Sequence, residues 1–286
     1  MGGGNYSYTR SMSMAQDYSR QDREEVFSQR HMSEEMNIKD KVREARDSEE
    51  HPNSFPIIIA LDVTGSMGRI PYELITEGFP KLMKKIMDEG VQDLQVCFVG
   101  IGDHYTDRAP IQVGQFESSD ELLDKWLKLI WLEGRGGGNN GESYSLAWYF
   151  GAFHTAIDSL KRGKRGVLIT IGDEPIHGAI GASSIKQLLG ETPEADVASS
   201  SILRAAQESW DVYHINLNDH SGGRPSVKLG LEDYLGDHVI HTEDSTGKEI
   251  PEIISGIVLK SYYATKAKPT VQEGTKSESE TITHLR

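Results

Sequence analysis

Ile57-Ile58-Ile59-Ala60-Leu61-Asp62-Val63-Thr64-Gly65-Ser66-Met67 is the stretch whose reading decides the fold. The unbroken apolar run from Ile57 to Leu61 reads as a buried strand that empties into three oxygen-bearing side chains. Asp62, Thr64 and Ser66 stand at alternate positions, and an extended chain throws residues i, i+2 and i+4 to one side. One carboxylate and two hydroxyls can then converge, which is a cradle for a hard divalent cation. Gly65 lets the backbone turn, and Met67-Gly68 leads into a helix. The alternative is that Asp62 ends the strand and Thr64 and Ser66 cap that helix. Either way, a carboxylate at the end of an apolar strand must be compensated by hydrogen bonds or by a cation.

Outward from this stretch the pattern alternates strand and helix, the signature of a parallel sheet with crossover helices. A helix is predicted over about 71–89, a strand over 94–101, a short hairpin strand over 111–116 and a helix over 120–131. A glycine-rich loop then runs into a helix ending near His154. A strand over 166–171 follows, then a helix near 195–209, strands over 212–217 and near 238–241, and a last helix near 248–261. The predicted fold is α/β: a doubly wound, mostly parallel sheet with helices on both faces. Residues 1–52 are read as a polar amino-terminal arm, partly helical over 23–31 and 38–47 or disordered. Residues 53–265 are the domain, and 266–286 a disordered tail.

Loops leaving the carboxyl ends of parallel strands gather on one rim. Three of them carry candidate residues. The first holds Asp62, Thr64 and Ser66. The second, Glu133 to Ala147, reads Gly136-Gly137-Gly138-Asn139-Asn140-Gly141-Glu142 at its centre, and its glycines allow close backbone approach. With no Gly-Lys-Ser/Thr ending it is a weak candidate for a nucleotide loop. The third, Gly166 to His177, ends its strand at Asp173. His177 reads as bonded within its own turn rather than to a metal. The rule also places Gly102-Asp103-His104-Tyr105-Thr106-Asp107 on the rim. That segment reads as a hydrogen-bonded turn, with a second cation site or a contact surface as alternatives. His214, His220, His238 and His241 show no metal-ligand spacing and read as structural.

Asp62-Val63-Thr64-Gly65-Ser66 resembles the Asp-x-Ser/Thr-x-Ser motif of von Willebrand factor type A domains, the metal-ion-dependent adhesion site. The order of the two further segments resembles that family too, over about residues 53–265. The glycine loop is similar to members with Gly-Gly-Gly-Asp-x-x-Glu, with Asn139 in place of Asp. Asn139, Glu142 or a water is therefore the candidate for that coordination position. The resemblance implies that Asp173 is the remaining acidic group of the metal site. It also implies a Mg²⁺ site, with Mn²⁺ and Ca²⁺ as alternatives. A protein partner would complete the cation with its own Asp or Glu. An AAA-type ATPase is a partner the family suggests, and the chain is similar to bacterial and phage proteins of this class. The site is also similar to the start of the haloacid dehalogenase phosphatases, but Thr64 stands where their second aspartate acts as general acid. A metal-dependent phosphohydrolase is thus an alternative, as is an assembly protein whose metal is only structural.

A formal charge of −14 over 286 residues argues against nucleic acid as a partner, since phosphate backbones need clustered Lys and Arg. Cys97 is the sole cysteine, inside an apolar run, so no intrachain disulfide forms and a cytoplasmic location (the host cytoplasm for a viral protein) is expected. No apolar stretch approaches the length of a membrane span, and the polar amino terminus has no signal-peptide core. Glu34, Glu35, Glu49 and Glu50 are arm carboxylates that could reach the rim and close it.

Overall fold

A computed structural model describes residues 4–67, 69–133, 141–217, 230–244 and 246–264, and it gives the strand at Ile57 a partner on each side. In chain order the elements are α1 (Tyr8–Tyr18), α2 (Arg23–Val26), β1 (Arg43–Ala45), β2 (Phe55–Asp62), α3 (Ile70–Glu73), α4 (Phe79–Asp88), β3 (Leu94–Ile101), β4 (Ile111–Val113), α5 (Asp120–Lys128) and α6 (Tyr144–Phe153). Then come β5 (Thr155–Ile157), β6 (Gly166–Gly172), β7 (Ala179–Ile180), α7 (Ala182–Leu188), β8 (Val197–Ala198), α8 (Ser199–Gln207), β9 (Trp210–Leu217), α9 (Leu231–Leu235), β10 (Val239–Thr242) and α10 (Ile250–Ala264). Among the described residues no helix is long and apolar enough to cross a membrane.

The central sheet runs β10-β9-β6-β2-β3-β4, parallel except for β4, which pairs antiparallel with β3. The fold is thus doubly wound α/β. Both faces of β2 are apolar because both are covered. Ile57, Ile59 and Leu61 enter a core with α4, α5 and α10, while Ile58 and Ala60 enter a second core with α6 and α8. β3 divides likewise, with Val96 and Phe98 on one side and Cys97, Val99 and Ile101 on the other.

Counted along the chain, the six strands lie in the lateral order third, second, first, fourth, fifth, sixth, so the connections from β2 and β6 diverge to opposite sides. Such a reversal opens a crevice beyond the carboxyl ends of the two central strands. Asp62 ends one of them and Asp173 directly follows the other.

The helix predicted over 71–89 is interrupted by a π-helical stretch, Leu74–Gly78. A Cβ on Gly78 would lie 2.8 Å from Cγ of Pro251, so this glycine lets α10 pack closely. Residues 38–47 are a turn and strand rather than the expected helix. Asp40 there has a φ of 57°, which a helix does not allow, and β1 pairs in parallel with β5. Residues 23–31 are helical only to Val26. α1, α7 and the β7–β8 ladder were not expected.

The arm is built into the domain. Val26, Phe27 and Met36 belong to the first core, and Ile38 and Ala45 to the second. Arg10 pairs with the buried Asp120 through Nε (2.5 Å) and Nη2 (2.8 Å), and the Arg43 guanidinium donates to the carbonyls of Glu35 and Val113. Glu35 pairs with Lys125 on α5, and Glu50 accepts from the Gly4 amide, so neither serves the rim.

Candidate metal centre

Asp62 is fully buried at the end of β2. Its Oδ1 accepts from the Thr64 amide (2.8 Å) and the Thr64 hydroxyl (2.6 Å), and its Oδ2 from the Tyr144 hydroxyl (3.3 Å). The helix beginning at Ile70 has Arg69 at its N-cap, with no side-chain capping bond. Thr64 thus serves the aspartate with both its amide and its hydroxyl. The Ser66 side chain and Asn139 lie outside the described residues, as does His220.

Tyr144 reaches Asp62 by passing over Gly172. A Cβ at that position would lie 1.9 Å from the tyrosine oxygen, so only glycine fits the end of β6. The same hydroxyl accepts from the Glu174 amide (3.3 Å), tying the loop after β6 to the loop after β2. Burial, followed by the charges of Asp62, Asp173 and Glu142, holds the Tyr144 phenol far above its usual range, so it remains a donor.

Glu142 is 4% exposed and bridges to Ile176: its amide donates to Pro175 O (2.7 Å), and its carbonyl accepts from the His177 amide (3.2 Å). Its Oε2 is buried and has no hydrogen-bond partner among the described residues. Burial raises its pKa strongly, and Asp62, Asp107, Asp103 and Glu174 add to the rise. Asp62 is also raised, by burial first and then opposed by the Thr64 hydroxyl bond, with Asp173 pushing it further up. Carboxylates buried together repel, and a cation relieves that repulsion.

The fit to a hard cation rests on this donor set. Asp62, Glu142 and Asp173 are buried, Thr64 supplies a neutral oxygen, and one Glu142 oxygen is unpaired among the described residues. The three carboxylates feel one another electrostatically, but they are not drawn within one coordination radius. Among the described residues, the one group of three His, Cys, Asp or Glu ligand atoms within 4.8 Å of one another is Asp103, His104 and His177.

No family model and no curated protein matches the chain. Among solved structures it is similar to the pilus adhesin SpaC from Lactobacillus rhamnosus GG in its open conformation. The identity is 11%, with a TM-score of 0.46 over 78% of this chain and 31% of that one. A second structure of the same adhesin gives 9% identity and a TM-score of 0.45 over 78% and 32%. The chain spans about a third of the adhesin's length. Likeness at this level says nothing about the site.

The turn after β3 adds a second cluster. Asp103, 1% exposed, accepts from the Tyr105 amide (3.1 Å) and the Thr106 hydroxyl (3.0 Å), and its amide donates to Asp107 (2.7 Å). This is the hydrogen-bonded turn predicted from sequence. His177, however, reaches out of its own turn, with Nε2 2.9 Å from Asp103 Oδ1. A segment rich in turn residues gave no sign of that pairing, because the partners are 74 residues apart. His214 is buried on β9 with its Nδ1 2.8 Å from the Thr170 hydroxyl on β6, a structural position.

Proposed function

We propose that this is a divalent-metal-dependent protein-binding module of the von Willebrand type A kind. A cation held at Asp62, Thr64, Glu142 and Asp173, with Ser66 and Asn139 as further candidates, is completed by an Asp or Glu of a partner protein. The observation that carries the reading is Glu142. A buried carboxyl with an oxygen unpaired among the described residues, within reach of the Asp62 charge at the end of β2, is a costly arrangement unless a cation is bound there. All-oxygen donors favour Mg²⁺, with Mn²⁺ and Ca²⁺ as alternatives. The bound ion supplies a Lewis-acidic position for an external carboxylate. This chain's residues orient it: Thr64 fixes Asp62, and Tyr144 links Asp62 to the loop of Glu174.

A catalytic role is disfavoured by the same residues. Thr64 donates its proton to Asp62 and has no carboxyl with which to act as a general acid. The test is affinity capture with tagged wild type and Asp62→Ala, each in Mg²⁺ or chelator, read by quantitative mass spectrometry. A partner held only by wild type with metal, and released when its own contacting acid is replaced by the amide, is the expected result. Equal capture in all four conditions overturns the reading and moves the contacts to the arm. A Mg²⁺-dependent release of phosphate from a generic phosphomonoester would favour the phosphohydrolase instead.

A further inference from the structure

The cluster after β3 has a different chemistry from the crevice. Asp103 Oδ1 and His177 Nε2 are 2.9 Å apart, and Asp103, His104 and His177 each offer a ligand atom within 4.8 Å of the others. Zinc bonds of about 2.0–2.1 Å put the ligands of a tetrahedron about 3.3 Å apart, so small side-chain movements suffice. The His104 side chain is 0% exposed and that of Asp103 1%, which makes this a built site and not a surface coincidence.

The His104 ring is held from behind. Its Nδ1 lies 2.6 Å from the Ser143 hydroxyl at the start of α6, and that hydroxyl also accepts from the His104 amide at 2.9 Å. Its Nε2 is buried with no hydrogen-bond partner among the described residues. An imidazole with one nitrogen fixed by a hydroxyl and the other unpaired is arranged as metal-ligating histidines are. Tyr105 covers the two rings, with centroids 3.9 Å from His104 and 5.0 Å from His177. Gly141 leaves room for His177, since a Cβ there would lie 2.8 Å from its Cε1.

We propose that Asp103, His104 and His177 form a second, nitrogen-rich metal site that takes a borderline transition-metal ion, Zn²⁺ first. Two imidazoles and one carboxylate suit zinc and its neighbours and not Mg²⁺, so the two sites on this rim select different ions. Three protein ligands leave a fourth position open. The ion takes the place of the hydrogen bond between His177 and Asp103. This site does not depend on the function proposed above.

The test uses the untagged full chain and Co²⁺ as a spectroscopic substitute for Zn²⁺. Wild type should bind one equivalent of Co²⁺ with the intense visible bands of a four- or five-coordinate ion, and one equivalent of Zn²⁺ should remove them. His104→Gln and His177→Gln should each lose the bands and weaken binding at least tenfold, whereas Asp62→Ala should keep them. Zinc X-ray absorption on wild type provides a measurement that needs no variant and should find two imidazoles. Intense bands that both histidine variants retain, no such bands in wild type, or a zinc shell without imidazole would overturn the proposal. Should either variant fail to fold by circular dichroism, the absorption result alone decides.

Discussion

Replacing Asp62 by Asn should make the metal-free protein more stable and insensitive to Mg²⁺. Asn keeps an oxygen for the Thr64 amide and hydroxyl bonds and presents its amide to the Tyr144 oxygen, so the hydrogen-bonded frame survives. What disappears is a buried charge. Burial, with Asp173 adding, raises the Asp62 carboxyl from 3.8 to about 7. At about 1.4 kcal/mol per pH unit, ionising it in the fold costs on the order of 4 kcal/mol. Because the folded value lies above the unfolded one, the stability linked to this group is complete below pH 3.8. It is lost as pH rises to 7. Wild type in chelator should therefore fall relative to Asp62→Asn across that window, and above pH 7 the variant should lead by about 2–4 kcal/mol. For a domain of this size that is a rise in Tm of roughly 4–16 °C. Mg²⁺ at a hundred times its Kd should return about 2.7 kcal/mol to wild type and nothing to the variant. Differential scanning calorimetry at pH 5 and pH 8, each with Mg²⁺ or chelator, reads all four values. A variant less stable than wild type at pH 8 in chelator, or equal Mg²⁺ shifts in both, would refute the reasoning. The first result would mean that Asp62 is a favourable structural carboxylate; the second, that the ion does not use it.

Phe27→Ala should cost about 3–5 kcal/mol in urea unfolding, because Phe27 is buried in the first core and not in a detachable arm. By the same reasoning, deletion of residues 1–52 should leave an aggregating or unfolded chain, so it cannot serve as a clean test of binding. Gly172→Ala places a Cβ 1.9 Å from the Tyr144 oxygen and should destabilise by about 3 kcal/mol while abolishing the Mg²⁺-dependent shift in Tm. His214, driven down to about 3 by burial, behaves oppositely to Asp62. Its linked stability is complete above pH 6.5 and is lost as pH falls towards 3. The difference between wild type and His214→Gln should thus shrink by about 1.4 kcal/mol per pH unit below 6.5 in chemical denaturation.

The sheet was legible because its residues carry their burial in their own alternation. Ile57, Ile59 and Leu61 face one core while Ile58 and Ala60 face the other, so the strand is apolar throughout and no other reading fits. The attachment of the arm was less legible for the opposite reason. α1 buries only Ser11 and Ala15, and its attachment runs through Arg10, Asp120 and backbone amides, which leave no periodic apolar trace. Site residues divide along the same line. Asp62 and Thr64 announce themselves by following a buried strand, and Asp173 by following the next, since a carboxylate there must be answered by something polar. The pairing of His177 with Asp103 had no such signal. Glu142 bonds the loop after β6 through Pro175 and His177, and the His177 imidazole of that loop meets Asp103 in the turn after β3. Glu142 is therefore the joint between the two clusters: its carboxyl feels the charges of Asp62 and Asp103, and its backbone carbonyl bonds the His177 amide. A substitution such as Glu142→Gln keeps the backbone bonds, so it should weaken the first site and leave Co²⁺ binding at the second unchanged. Loss of both would mean that the two ions share one electrostatic unit.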